Sequence, residues 1–333
     1  MIAALVFVMP GVPVRAAEQA TGVYLLGSKS SMAGFLPPPG TYGSSMKYYY
    51  DGSASGSAAA GRALGQIGNV TLQADIDIDA KVFIELPTLL LVTPYKVLGG
   101  NIAFGAIVPF GWKDIGVDLD ALATLTLANG TTVQQGARFS FDQDTFDLGD
   151  PLLTGIIGWH SGNWHWNVSG LLNIPVGPYS ASSVTNIAFN RWAFDTTAAL
   201  TWLDAAKGRE LSAAAGFTFN GENDATNYET GTEFHLEFAA MQYLSKAFAI
   251  GITGYYYNQV TGDSGAGATL GAFKGEVTAI GPNINYNFQW GNTPVSTSLR
   301  WLHEFDAKNR LEGDAVLFSA TFPFGAGRHA AAK

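Results

Sequence analysis

The stretch VTLQADIDIDAKVFIEL, residues 70–86, places Asp75, Asp77 and Asp79 at alternate positions of an otherwise apolar run. In a helix, residues two apart point to different faces, and the acids and isoleucines would be scattered around the cylinder. In a strand the same spacing sorts them. Leu72, Ala74, Ile76, Ile78, Ala80, Val82, Ile84 and Leu86 share one face, and Gln73, Asp75, Asp77, Asp79, Lys81, Phe83 and Glu85 share the other. Asp-x-Asp-x-Asp is also how one calcium-binding loop opens, but that loop needs Gly at its sixth position and Glu at its twelfth. Here those positions hold Ala80 and Leu86, so no metal site is expected.

The alternation recurs along the chain. Trp164, Trp166, Val168 and Leu172 oppose His165, Asn167, Ser169 and Asn173; Phe234, Leu236 and Phe238 oppose Glu233, His235 and Glu237; Ile284, Tyr286, Phe288 and Trp290 oppose Asn283, Asn285, Asn287 and Gln289. Twelve strands are expected, near 43–50, 70–86, 98–111, 151–160, 163–175, 190–204, 209–221, 232–244, 247–259, 273–290, 294–306 and 311–324. Many reach the roughly 9–11 residues that cross a bilayer at a tilt. Short links such as SGN, DAAKGR and SK alternate with long ones such as 51–69, 112–150 and 260–272.

The formal charge of −9, with no cluster of Lys or Arg, argues against a nucleic-acid partner. The absence of cysteine removes disulfides and thiolate chemistry. After the first twenty residues no apolar run reaches 18 residues, the length that would suggest a transmembrane helix. The first residues, MIAALVFVMPGVPVRAAEQA, pair an apolar core with small residues at Val14-Arg15-Ala16 and read as a secretion signal over 1–16.

Long two-faced strands with tight turns on one rim and long polar loops on the other predict an all-β, transmembrane antiparallel barrel of the Gram-negative outer membrane. A closed barrel also pairs every backbone N–H and C=O, which hydrocarbon demands. The barrel is expected over 43–324, with 17–42 a periplasmic or lumen-inserted segment and 325–333 a tail. Val117–Thr126 and Val133–Phe141 form either an extra hairpin above a twelve-stranded barrel or two further spans, making fourteen. With the apolar face toward lipid, the residues expected to line the lumen are Gln73, Asp75, Asp77, Asp79, Lys81, Glu85, His165, Asn167, Arg191, Asp195, Glu233, His235, Glu237, Glu276, Asn283, Asn285, Arg300 and Glu304. Acids outnumber bases among them, which predicts a mild cation preference. Arg191 and Arg300 are expected to pair with neighbouring acids in the wall. Trp164, Trp166, Trp202, Trp290, Phe322 and Phe324 fall near the short-turn rim and suit an interfacial aromatic belt. Tyr255, Tyr256 and Tyr257 read as rim anchors more readily than as a solute site.

Several motifs together resemble the outer-membrane channel family of the MetA-pathway of phenol degradation. They are PPPGTY (37–42), LGDPLL (148–153), GWHSGNWH (158–165), IPVGPYS (174–180), NYETGTEFHLEF (227–238), GITGYYYNQVTGDSGAG (251–267) and IGPNINY (280–286). Residues 113–147 depart from that pattern, and GAGRHAAAK follows Phe324. The resemblance implies passive movement of bulky, often hydrophobic or aromatic small molecules across the outer membrane. A monomer surrounded by lipid, with no cofactor, is expected.

Two other classes compete. A surface adhesion or structural barrel would keep a blocked lumen and bind a partner through its loops. An outer-membrane lipid hydrolase would need a Ser, a His and an acid in one place. Of the five histidines, His160, His165, His235, His303 and His329, none pairs at metal spacing, and no Ser stands in a G-x-S-x-G turn. His160 and Ser161 read as turn chemistry, and an enzyme is not expected.

Overall fold

Alternating runs rich in Val, Ile, Thr and aromatics, punctuated by Gly and Asn, favour strands. The computed structural model describes residues 18, 22–63, 68–268 and 271–324. The expected signal over 1–16 and the tail over 325–333 lie outside the described residues. Among these residues the elements are β1 (Gly40–Ala63), β2 (Gly68–Val97), β3 (Gly100–Ile107), β4 (Phe110–Leu127), β5 (Thr132–Leu148), β6 (Leu152–Ser161), β7 (Trp164–Asn173), β8 (Ala193–Asp204), β9 (Arg209–Asn220), β10 (Glu222–Asn223), β11 (Tyr228–Glu229), β12 (Glu233–Tyr243), β13 (Phe248–Gln259), β14 (Glu276–Trp290), β15 (Thr293–Lys308) and β16 (Glu312–Phe324).

Twelve strands close a ring in which every pairing is antiparallel: β1, β2, β3, β6, β7, β8, β9, β12, β13, β14, β15 and β16, which pairs back to β1. β10 and β11 form a small hairpin in a loop. β4 and β5 are the extra hairpin, so the ring holds twelve strands and not fourteen. β4 prolongs β3 past Pro109, which has no N–H to give the ladder, and pairs with the far half of β2. β5 runs back beside β4 and leads into β6 through residues 149–151.

Of residues 51–69, expected as a loop, 51–63 and 68–69 extend the strands instead. β1 has 24 residues and β2 has 30, in register from Gly40↔Val92 to Ala63↔Asn69. Since about 9–11 residues cross a bilayer, most of β2 stands beyond it. The far halves of β1 and β2 and the β4–β5 hairpin make a sheet that rises like a hood from one side of the ring.

The hood reverses the register expected for residues 70–86. Ile76 and Ile78, 8% and 6% exposed, cluster with Ala80 and Ile115 on its inner face, whereas Asp77 and Asp79 are exposed on the outer face. Gln73 and Lys81 are exposed beside them, Asp75 is half-exposed, and Glu85 pairs on that same outer face with Lys47 at 2.9 Å. Beyond the bilayer the outside is water, so carboxylates face outward while the isoleucines cover one another beneath the hood.

Tight turns at 98–99, 162–163, 205–208 and 291–292 mark one rim, with Gly99, Gly162, Gly208 and Gly291 all at positive φ. Longer segments, 174–192, 221–232 and 260–275, mark the other.

Candidate functional site

Residues 22–36 run inside the ring, and the inward polar side chains of the wall hold them. Near the loop rim, Glu18 accepts hydrogen bonds from Tyr179, Asn223 and Thr226 and an ion pair from Arg191 at 3.2 Å. Tyr24 stacks on His235, which bonds Asp195 at 2.9 Å. Glu237 accepts the Gly27 N–H at 2.9 Å, and Arg300 donates to the carbonyls of Gly27 and Ser28. Asn283 and Asn285 donate to Ser30 and Ser31, each at 2.8 Å, and Glu210 accepts the Met32 N–H at 2.6 Å. Near the turn rim Asn167 donates to the Ala33 carbonyl, and the Gly34 N–H donates to Thr201. A Cβ on Gly34 would lie 2.4 Å from the His165 carbonyl oxygen, so only glycine fits so close to the wall.

This accounts for much of the polar set read from the sequence. Asn167, Arg191, Asp195, Glu233, His235, Glu237, Asn283, Arg300 and Glu304 are buried, and Asn285 turns inward to Ser31. Their hydrogen bonds go to the inserted segment, to each other, or to further wall residues: Asp195 to Thr218, Glu233 to Asn220 and Tyr257, and Glu304 to Tyr50 and Tyr255. Arg191 and Arg300 grip residues 18 and 27–28, with further hydrogen bonds to Asn220 and Ser319 of the wall, and among the described residues neither pairs with a wall acid. His165 sits at the turn rim with Nδ1 2.7 Å from that of His160, and Phe35 packs against both rings. Glu276 is a correction: Val277 and Ala279 take the inward positions of β14, and Glu276 bonds Lys308 and Tyr256 on the outside. Tyr255 and Tyr257 correct the rim-anchor reading, because both are buried inside, bonded to Glu304 and Glu233.

Trp164, Trp166, Trp202, Trp290, Phe322 and Phe324 all lie within a few residues of the turn rim, and Trp164 pairs across strands with Trp202. Trp159, absent from the sequence-based set, joins them by stacking on Trp166.

The space beside residues 22–26 is mainly apolar. A cavity lies between the inserted residues 22–26 and the wall of β1 and β2. Val23, Leu26, Tyr48, Ile84, Leu86 and Phe189 line it, together with Tyr255 and Tyr257. The expected acid-rich lumen is thus divided. Its acids are engaged by the segment and the tyrosines, and the free space faces hydrocarbon and aromatic surface. Asp150, buried at the break between β5 and β6, closes one side. It accepts from Asn173 Nδ2 and from the N–H groups of Gly177, Phe189 and Asn190, fixing the 174–192 loop over the gap beside β5. Among the described residues no group of three or more His, Cys, Asp or Glu is arranged to hold a metal.

A closed antiparallel ring with tight turns on one rim, apolar side chains outward and its own N-terminal segment in the lumen defines an outer-membrane β-barrel of the channel type. The chain belongs to the family described as Putative MetA-pathway of phenol degradation, whose sequence model matches residues 59–320. Its fold is similar to that of the COG4313 outer membrane channel from Pseudomonas putida F1, with a TM-score of 0.62 and 15% identity over 87% of this chain and 97% of that one. Fainter similarities reach a Pseudomonas aeruginosa FadL homologue and the CymD monoaromatic hydrocarbon channel. Their TM-scores are 0.37 and 0.33 at 10% and 9% identity, each over 86% of this chain and 89% of the other. No curated protein sequence matches the chain.

Proposed function

We propose that the protein is a monomeric channel through which small hydrophobic or aromatic molecules cross the outer membrane by passive diffusion. The observation that carries this reading is the cavity lined by Val23, Leu26, Tyr48, Ile84, Leu86 and Phe189. Apolar solutes gain from such a surface what ions and sugars do not, roughly 25 cal/mol per Å² of apolar area covered. The cation preference expected from an acid-rich lumen gives way to a preference for apolar over charged solutes. Trp164, Trp166, Trp202 and Trp290 serve as the belt at the periplasmic interface.

The test is solute entry into liposomes carrying the full chain, comparing phenyl glucoside, which does not cross lipid unaided, with a disaccharide. Faster entry of the phenyl glucoside is expected. Entry of neither overturns the channel reading and favours a surface barrel with a blocked lumen.

A further inference from the structure

Two separate cavities meet at a single side chain. The inner one is the apolar chamber just described. The outer one lies under the hood between Ser53, Ser55, Ile76, Ile78, Asn309 and Glu312. Arg310, in the three-residue link between β15 and β16, is the one residue that lines both. Its neighbour Leu311 packs against both the Ile76/Ile78 cluster and the Tyr255/Tyr257 cluster. Arg310 and Leu311 thus form a septum between hood and chamber.

The contacts of Arg310 suit a part that moves. Its guanidinium lies over the Tyr257 ring, 4.6 Å from the centroid, and its ion pair with Glu304 is long, at 3.9 Å. Nε has no hydrogen-bond partner. Glu304 does not depend on it for hydrogen bonding: its oxygens already accept from Tyr50 at 2.8 Å, Tyr255 at 2.6 Å and the Gly313 N–H at 3.1 Å. When Arg310 swings toward the hood, Glu304 keeps these three hydrogen bonds and gives up only the attraction of the guanidinium, which makes the closed position the resting one. A planar aromatic solute can stack on the guanidinium as Tyr257 does, whereas a saturated ring of the same size cannot.

We propose that Arg310 is the gate between the hood and the inner chamber, and that stacking on its guanidinium selects aromatic over saturated solutes. This rests on the channel reading above and deepens it.

The test measures entry of phenyl glucoside and cyclohexyl glucoside into liposomes bearing the full chain, with R310A, R310K and L311A beside the wild type. Each variant is first checked for a closed barrel by its heat-dependent gel mobility. The wild type is expected to favour the phenyl compound about fivefold, the size of a modest cation–π contact. R310A should raise entry of both while bringing the ratio close to one. R310K, which keeps the charge and loses the plane, should lower the ratio with little gain in entry. L311A should raise both at an unchanged ratio. A wild type that admits both with no preference, or an R310A or R310K that keeps the full preference, overturns the role of Arg310. A wild type that admits neither overturns the channel reading itself.

Discussion

Tyr24 lies flat on His235, with ring centroids 3.6 Å apart and planes 13° from parallel. The inserted segment is therefore stacked on the wall as well as hydrogen-bonded to it. Replacing Tyr24 and Glu237 together by Ala removes this stack and the acceptor of the Gly27 N–H. The joint loss is about 3 kcal/mol, enough to raise the detached population about a hundredfold. Single-channel recording should show large-conductance openings rising by that order, and an unchanged frequency would sink the idea that these contacts hold the segment.

Gly34 provides a second test of the same hold. Its missing Cβ would meet backbone on both sides, 2.4 Å from the His165 oxygen and 2.6 Å from the Thr201 nitrogen, whereas at Gly155 nothing stands within 4 Å. Gly34→Ala should cost about 2 kcal/mol or loosen residues 33–36, seen as faster amide exchange there. Gly155→Ala should stay within about 0.5 kcal/mol of the wild type.

The orientation of β2 can be checked against that of β7. Val168 is 47% exposed midway along β7 on the outer wall, and Arg in its place should cost about 2–4 kcal/mol in urea titrations of the liposome-embedded barrel. Asp77 also faces outward, but above the bilayer and directly across from Asp118. Asp77→Asn should be neutral or slightly stabilising, because like charges opposed across a sheet repel. A large cost at Asp77 would contradict its placement in water.

Asp150→Ala removes the acceptor for four donors at the β5–β6 break. The expected cost is about 3 kcal/mol, with the amides of Phe189 and Asn190 losing protection from exchange. Equal protection in the variant would mean that the 174–192 loop is held by its apolar contacts alone.

Period-two alternation made the ring legible: the faces of β7, β8, β12 and β16 follow directly from their residues. It does not tell lipid from a neighbour's apolar side chain, and so it points Ile76 and Ile78 toward lipid although they cover one another on the inner face of the hood. Alternation records which residues share a face. What lies outside that face depends on height relative to the bilayer, which no local window contains. Glu276 escaped for a similar reason, since an acid at the end of a strand satisfies itself equally well against Lys308 on the outside. Asp150 stands in the LGDPLL motif, but its four donors come from three separate parts of the chain. Arg310 carried no signal at all, because its importance arises only from two cavities meeting there.

Glu18 sits among the loops, and Gly40 opens β1 at the opposite rim, with residues 22–36 following the bore between them. A ring already zipped shut would have to admit this stretch lengthwise, past glycines that fit the wall only in contact. The simpler order of assembly is that the stretch is laid down first and the sheet curls around it, with the β1–β16 seam closing last. On that view residues 22–36 act as a mandrel on which the barrel is wound, and Tyr24, Glu237 and Gly34 bear on how quickly the protein matures as well as on what it later lets through.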